Sequence, residues 1–306
     1  MNRFLNQSPN LRASEKDSFR KKTEEKNGLK WKKNTAWNIS YKTSQARLFI
    51  MPEIPEQLRE EAVKHFNELL DLMQEGRLEG ALESLQKAEK TAHEAKDGDV
   101  LFHTLKVRGQ VLQSLGKLEE ALETYTFSLR TNEKLLETDP ENKLYLDALR
   151  MNLNNIGNLG NIFRRMSKFQ SSQQSYEVGI EICQKRLNTH PKNEFYQMYA
   201  GNALNNLGEL LAGMGQTEEA KENYEKALKI YENLLKNYPG DMEYLSDKIM
   251  TLNNLGTLFS EKGQKEEAKE NFNKALEILE TLSKSNPENK KLKEELSLKR
   301  EKLEML

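Results

Sequence analysis

The sequence predicts an all-α fold in which antiparallel helix pairs stack into an extended array, and three observations predict it. A Leu-Asn-Asn-Leu-Gly block at 204–208 recurs at 252–256 and, as Leu-Asn-Asn-Ile-Gly, at 153–157. Pro140, Pro191, Pro239 and Pro287 follow one another at intervals of 51, 48 and 48 residues. Between block and proline runs an Ala- and aromatic-bearing segment with apolar residues at helical spacing, such as Ala268, Phe272, Ala275, Leu276 and Leu279. Each unit of such a chain buries its apolar stripe against its neighbours, so function is expected on an extended surface.

Residues 1–52 read as a disordered basic leader. The first fifty carry 12 Lys+Arg against 4 Asp+Glu, whereas the rest of the chain carries 35 against 44. Trp31, Trp37 and Tyr41 interleave with Lys30, Lys32, Lys33 and Lys42 in this segment. Three readings stand open for it: a misassigned start with Met51 as the true first residue, an idle solvated tail, or an arm for nucleic acid or anionic lipid.

Residues 53–287 read as about five repeats. An Asn or Asp two residues after each proline (Asn142, Asn193, Asp241, Asn289) is placed to cap a helix start. Tyr145, Tyr196 and Tyr244 follow the first three prolines by five residues and are expected on the core side. The first helix of a unit carries the Asn-Asn block and ends near Gly215 or Gly263; the second opens on Glu218-Glu219 or Glu266-Glu267, acids that suit a helix N-terminus. Gly208 and Gly256 fall inside the first helix, where glycine costs about 1 kcal/mol against alanine, and are expected to mark close approach of two helix backbones. Aligning Gly157 with Gly208 puts the three extra residues of the 51-residue interval after Gly157. Residues 288–306, with Leu292, Leu296, Leu303 and Leu306 on one face of a charged helix, read as a C-terminal cap.

The series Gly208, Gly215, Ala220, Tyr224, Ala227 and its counterpart Gly256, Gly263, Ala268, Phe272, Ala275 resemble the tetratricopeptide repeat (TPR) family. Gly76, Ala81, Leu85, Ala88 and Gly116, Ala121, Tyr125, Ser128 follow the pattern more loosely. The third unit departs most, with Ser172 and Gly179 at alanine positions and no glycine near Ser167. The resemblance implies a right-handed superhelical solenoid whose first helices line a concave wall. The period of 48 exceeds the family's usual 34 by two insertions of about seven residues, each close to two helical turns, so the apolar stripe keeps its register.

On that wall the expected partner-binding residues are Lys106, Gln110 and Gln113, beside His103, in the second unit. The third unit offers Asn154, Asn155 and Asn158, with Asn152 and Asn161 beside them. The fourth offers Asn202, Asn205, Asn206 and Glu209, and the fifth Asn253 and Asn254, with Thr257. Asparagine is a poor helix former, so a row of them on helices needs a reason. Each amide offers donors and an acceptor, the complement of an extended peptide backbone; alternatively the amides bond between units and fix the superhelix. The row resembles the Asn-rich inner helices of kinesin-light-chain-type arrays, which implies peptide binding. The family's clamp for C-terminal carboxylates is matched only in part: Lys106 and Asn155 fit, Gln110 replaces an asparagine, and Asn202 and Asn206 replace cations, so no such clamp is expected.

The expected function is therefore a scaffold or adaptor holding an extended peptide or partner helix in an Asn-lined groove, with self-assembly into homo-oligomers as the alternative. No enzyme chemistry, cofactor or metal is expected: His65, His93, His103 and His190 lack ligand spacing, and Cys183 sits on an apolar face beside Ile180 and Ile182. The array's acidic balance disfavours nucleic acid. A single cysteine, mean hydropathy of −0.83 and the lack of a signal-like or membrane-length apolar segment point to a cytoplasmic protein without membrane contact.

Overall fold

The computed structural model describes residues 75–94 and 98–285 without a break, together with residues 64, 65, 68, 69, 71, 72, 288–290, 292, 294, 296, 297, 300 and 303. The basic leader, both tryptophans and Pro287 lie outside the described residues. Among the described residues the regular structure is entirely α-helical. The chain divides into two compact units, one ending at Pro140 and the other beginning at Glu141.

The first unit contains α1 (Leu78–Glu94), α2 (Gly98–Ser114) and α3 (Leu118–Thr138), with α2 packed against both others. Its core joins Leu69, Leu72, Ala81, Leu85, Leu101, Leu105 and Val111. Gly116 turns the chain between α2 and α3 at φ 75°, a left-handed conformation that glycine reaches without strain.

The second unit contains α4 (Lys143–Arg165), α5 (Phe169–Thr189), α6 (Glu194–Gly213), α7 (Thr217–Asn237), α8 (Met242–Glu261) and α9 (Lys265–Ser285). Each helix packs on the next in sequence, and in addition α4 touches α6 and α6 touches α8. The first members of the pairs, α4, α6 and α8, thus form one continuous layer.

The expected caps are present. Asn142 accepts from the Leu144 and Tyr145 amides, Asn193 from Tyr196, Asp241 from Glu243 and Tyr244, and Asn289 from Leu292. Each such cap is worth about 1 kcal/mol. Tyr196 and Tyr244 are buried behind their caps, while Tyr145 is half-buried. Leu292 and Leu296 pack against the cluster of Ile249, Leu252, Ala275, Leu279 and Leu282.

The mid-helix glycines answer to rings rather than to neighbouring backbones. A Cβ on Gly109 would lie 2.3 Å from the Tyr125 ring, on Gly160 2.6 Å from Tyr176, on Gly208 2.7 Å from Tyr224, and on Gly256 2.9 Å from Phe272. Every pair is sixteen residues apart. This constant corrects the alignment of the third unit: Gly160, not Gly157, is the counterpart of Gly208. The three extra residues therefore lie inside the first helix, upstream of Gly160. Accordingly α4 has 23 residues where α6 and α8 have 20, while α5, α7 and α9 all have 21.

The two departures from alanine in the third unit have local causes. Ser172 is fully buried and donates to the Gly160 carbonyl at 2.9 Å. Gly179 lies under the Tyr199 ring, where a Cβ would sit 2.7 Å from Cε1. Gly157 lies under the same side chain, 3.1 Å from its hydroxyl, and that hydroxyl donates to the Leu153 carbonyl at 2.6 Å. Tyr199 thus replaces, in this unit, the packing that alanine provides in the others.

The turn between α4 and α5 has no glycine, yet Ser167 adopts φ 59°, as Gly215 and Gly263 do at 79° and 75° in the later units. The Ser167 and Lys168 amides bond back to Arg164 and Phe163, as those of Gly215 and Gln216 do to Ala212 and Leu211. An L-residue in this region costs roughly 1–2 kcal/mol. Ser167→Gly should therefore stabilise the protein by about 1 kcal/mol, read as a higher urea midpoint with unchanged slope.

Candidate functional site

The layer formed by α4, α6 and α8 carries the asparagine row of the second unit. On α4, Asn154 and Asn158 are exposed and Asn155 is half-buried with its Nδ2 lacking a hydrogen-bond partner. On α6, Asn202 and Asn206 are half-buried and Glu209 is exposed. On α8, Asn253 and Asn254 are half-buried, and the Asn253 Oδ1 has no partner.

Two positions expected to face outward do not. Asn205 is 1% exposed and Asn152 is fully buried. Asn205 accepts a hydrogen bond from the Asn254 Nδ2 at 3.1 Å, a bond that ties α6 to α8. Its position lies in the seam between two wall helices, and one helical step of about 100° separates that seam from the open face.

Several wall side chains are committed to neighbouring helices. The Tyr231 hydroxyl of α7 donates to the Asn202 Oδ1 at 2.6 Å, and Asn202 in turn bonds to Asp247 on α8. The Tyr176 hydroxyl of α5 donates to the Asn161 Oδ1 at 2.7 Å. Arg164 of α4 forms an ion pair with Glu209 of α6. In contrast, Asn155 and Asn206 make no side-chain hydrogen bond among the described residues. The row therefore has two populations: amides that lock helix to helix, and amides left over on the open side.

Asp247 was not legible as a site residue. It occupies on α8 the register that Tyr199 holds on α6, forty-eight residues earlier. Burial raises its pKa from 3.8 to about 6, with Glu243 and Asp241 adding to the rise and the Asn202 hydrogen bond opposing it. A carboxyl whose folded-state pKa lies above its unfolded value destabilises the fold when ionised. Its cost is present at neutral pH and disappears as the pH falls through 6 toward 4. Asp247→Asn should therefore be more stable than the parent at pH 7, by about 1 kcal/mol once partial solvent screening is allowed for, and indistinguishable from it at pH 4. Thermal midpoints at the two pH values check this.

In the first unit, Lys106, Gln110 and Gln113 fall at i, i+4 and i+7 along α2, all half-buried. Burial lowers the Lys106 pKa, the Gln110 Oε1 lacks a partner, and the Gln113 Oε1 accepts from the Tyr125 hydroxyl at 3.3 Å. The His103 side chain lies outside the described residues.

Cys183 is fully buried, and burial pushes its thiol well above the ordinary range, so it packs as an apolar side chain. Among the described residues no three His, Cys, Asp or Glu side chains converge on a point where a metal could bind, and no helix is long and apolar enough to cross a membrane.

Residues 199–281, which span α6 to α9, match the family profile described as tetratricopeptide repeat. No curated protein matches the chain. Among solved structures, the chain is similar to BtubC (BKLC) from P. vanneervenii at 20% identity, covering 85% of this chain and 92% of that one, with a TM-score of 0.48. It is similar to the MamA protein at 21% identity, covering 74% and 96%, with a TM-score of 0.41. It is also similar to a putative kinesin light chain from Podosopora anserina with nearly identical TPR-like repeats, at 18% identity, covering 75% and 97%, with a TM-score of 0.41. At these identities and scores the likenesses say nothing of partners.

Proposed function

Starting from a chain that carries tetratricopeptide repeats, we propose that it is a protein-interaction scaffold whose second unit holds an extended peptide along the open side of α4, α6 and α8. The observation that carries this reading is the set of wall amides with unspent hydrogen-bonding capacity: among the described residues Asn155 Nδ2 and Asn253 Oδ1 are buried without partners, beside exposed Asn154 and Asn158. A buried polar group left unsatisfied costs about 1–3 kcal/mol. Such groups along one face favour a ligand that supplies donors and acceptors at regular intervals, which a peptide backbone does. Asn154, Asn155, Asn158 and Asn206 would make the contacts. Asn202, Asn205 and Asn254 would hold the wall in shape, with Asn253 presenting its free acceptor at the α8 end. The α2 face with Lys106, Gln110 and Gln113 would add a second, more basic contact surface in the first unit.

Asn155→Ala with Asn206→Ala tests the reading, because neither side chain makes a hydrogen bond among the described residues. Peptides of about 12 residues selected from a random displayed library against the full chain serve as probes. The double variant should keep the parent's thermal midpoint and bind the selected peptides about tenfold more weakly or worse. Unchanged affinity contradicts the reading.

Self-association is a second reading, favoured by exposed apolar side chains at the turns of the second unit: Met166 between α4 and α5, Phe169 at the start of α5, and Met214 between α6 and α7. Light scattering over a concentration series decides it, since a constant monomer mass removes it.

A further inference from the structure

Arg186 is the anomaly of the second unit. It lies on α5 in the register that leucine fills in α3, α7 and α9: Leu135 fifty-one residues earlier, Leu234 forty-eight later and Leu282 after that. Leu234 and Leu282 are buried, and so is Arg186, at 8% exposure. A cation has thus been placed at a core position. Buried charges are ordinarily paired, yet Arg186 takes part in no ion pair among the described residues, and its Nε is buried without a hydrogen-bond partner.

What surrounds it is aromatic and cationic. The Arg186 guanidinium carbon stands 5.9 Å from the centroid of the Tyr196 ring; burial raises the Tyr196 pKa, and the nearby Arg186 and Arg150 charges oppose the rise. From α4, the Arg150 guanidinium stands 5.2 Å from the neighbouring Phe195 ring, whose centroid is 5.6 Å from that of Tyr196. Among the described residues the ion pair of Arg150 is with Asp147, at 3.8 Å on its own exposed helix face; such a pair is weak and easily exchanged. Glu194, in the same first turn of α6 as the two rings, accepts instead from the Tyr238 hydroxyl of the following turn. Two guanidinium groups from two helices therefore approach one aromatic pair, with no carboxylate answering the buried one.

We propose that Arg186 and Arg150 form a receptor for a phosphoryl-type oxyanion, free or carried on a partner's side chain. A guanidinium is a fixed fork of donors suited to phosphate oxygens. Two forks arriving from different helices suit a tetrahedral dianion, whose oxygens do not share a plane, better than a carboxylate, whose two oxygens one fork already satisfies. The site lies at the start of α6 and is independent of the asparagine row.

The test titrates inorganic phosphate into the full chain at constant ionic strength, with acetate as the carboxylate arm and a phosphoserine peptide as the partner arm, reading thermal midpoints and calorimetric affinity. Phosphate should raise the midpoint saturably and acetate should not. Arg186→Leu should abolish the phosphate effect while melting no lower than the parent, because leucine is the residue of this register elsewhere. Arg150→Gln, an exposed change that leaves the core intact, should weaken phosphate about tenfold. A phosphopeptide that binds more tightly than free phosphate assigns the anion to a partner's side chain; equal affinity assigns it to the free ion. A phosphate effect no larger than that of acetate, or one that survives both substitutions, overturns the proposal. So does an absent phosphate effect combined with a lower midpoint for Arg186→Leu, which would make the arginine a structural partner of Tyr196 alone.

Discussion

Tyr199→Ala should cost about 3–5 kcal/mol, the largest effect expected of any single substitution in the second unit. The side chain is buried, its ring covers Gly157 and Gly179, and its hydroxyl reaches the Leu153 carbonyl. Truncation would open a cavity against three helices, α4, α5 and α6, at once. Neither glycine can fill the space, because neither has a side chain to move. Tyr199→Phe should cost only about 1 kcal/mol: it keeps the ring, and the Leu153 carbonyl retains its place in the α4 backbone ladder. The pairing with Gly179 supplies a sharper check. Gly179→Ala should destabilise the parent by about 1–3 kcal/mol, since its Cβ would stand 2.7 Å from the ring. In the Tyr199→Ala background the same change should be neutral or stabilising. Urea unfolding of the four proteins reads this coupling, and additive effects would show that the ring does not occupy the glycine's space.

Gly208→Ala carries the second large effect, notable for its sign. Alanine in place of a helical glycine ordinarily stabilises by about 1 kcal/mol. Here the added methyl would lie 2.7 Å from the buried Tyr224 ring, and overpacking of this kind costs about 1–3 kcal/mol. The net result should be a clear loss. Gly213→Ala, five residues on in the same helix and with nothing within 4 Å of its Cβ, should show the ordinary gain. Opposite signs in urea midpoints for two glycines of one helix would demonstrate that the ring contact sets the repeat's register.

That register was the part of the fold least legible in the sequence. The helix starts could be read from Asn142, Asn193 and Asp241 because capping depends on one residue and its immediate neighbours. The repeated Asn-Asn block, by contrast, pointed to Gly157 as the third unit's packing glycine. The block resembles its later copies, but the physical constraint is the sixteen-residue distance from glycine to ring, which Gly160 satisfies with Tyr176. Ser167 shows the same lesson in reverse: the turn is conserved in shape although its glycine is not, because backbone bonds to Arg164 and Phe163 hold it.

The site was legible as a row and not as a set of roles. Helical spacing places asparagines on one side of α4, α6 and α8, but it does not resolve the open face from the seam where neighbouring wall helices meet. Asn205 fell in the seam and bonds to Asn254; Asn155 and Asn206 did not. Asp247 and Arg186 could have been found earlier by a different signal. Each carries a charge where the neighbouring repeats place an uncharged side chain, tyrosine for the first and leucine for the second.

Amide hydrogen exchange on the full chain, with and without a saturating peptide selected from the displayed library, tests the central claim most directly. If the open side of α4, α6 and α8 is the binding wall, protection should rise along those three helices, strongest around Asn155 and Asn206, and leave α5, α7 and α9 unchanged beyond a uniform stabilisation. Protection concentrated on α5, α7 and α9, with α4, α6 and α8 exchanging as in the free protein, would contradict it.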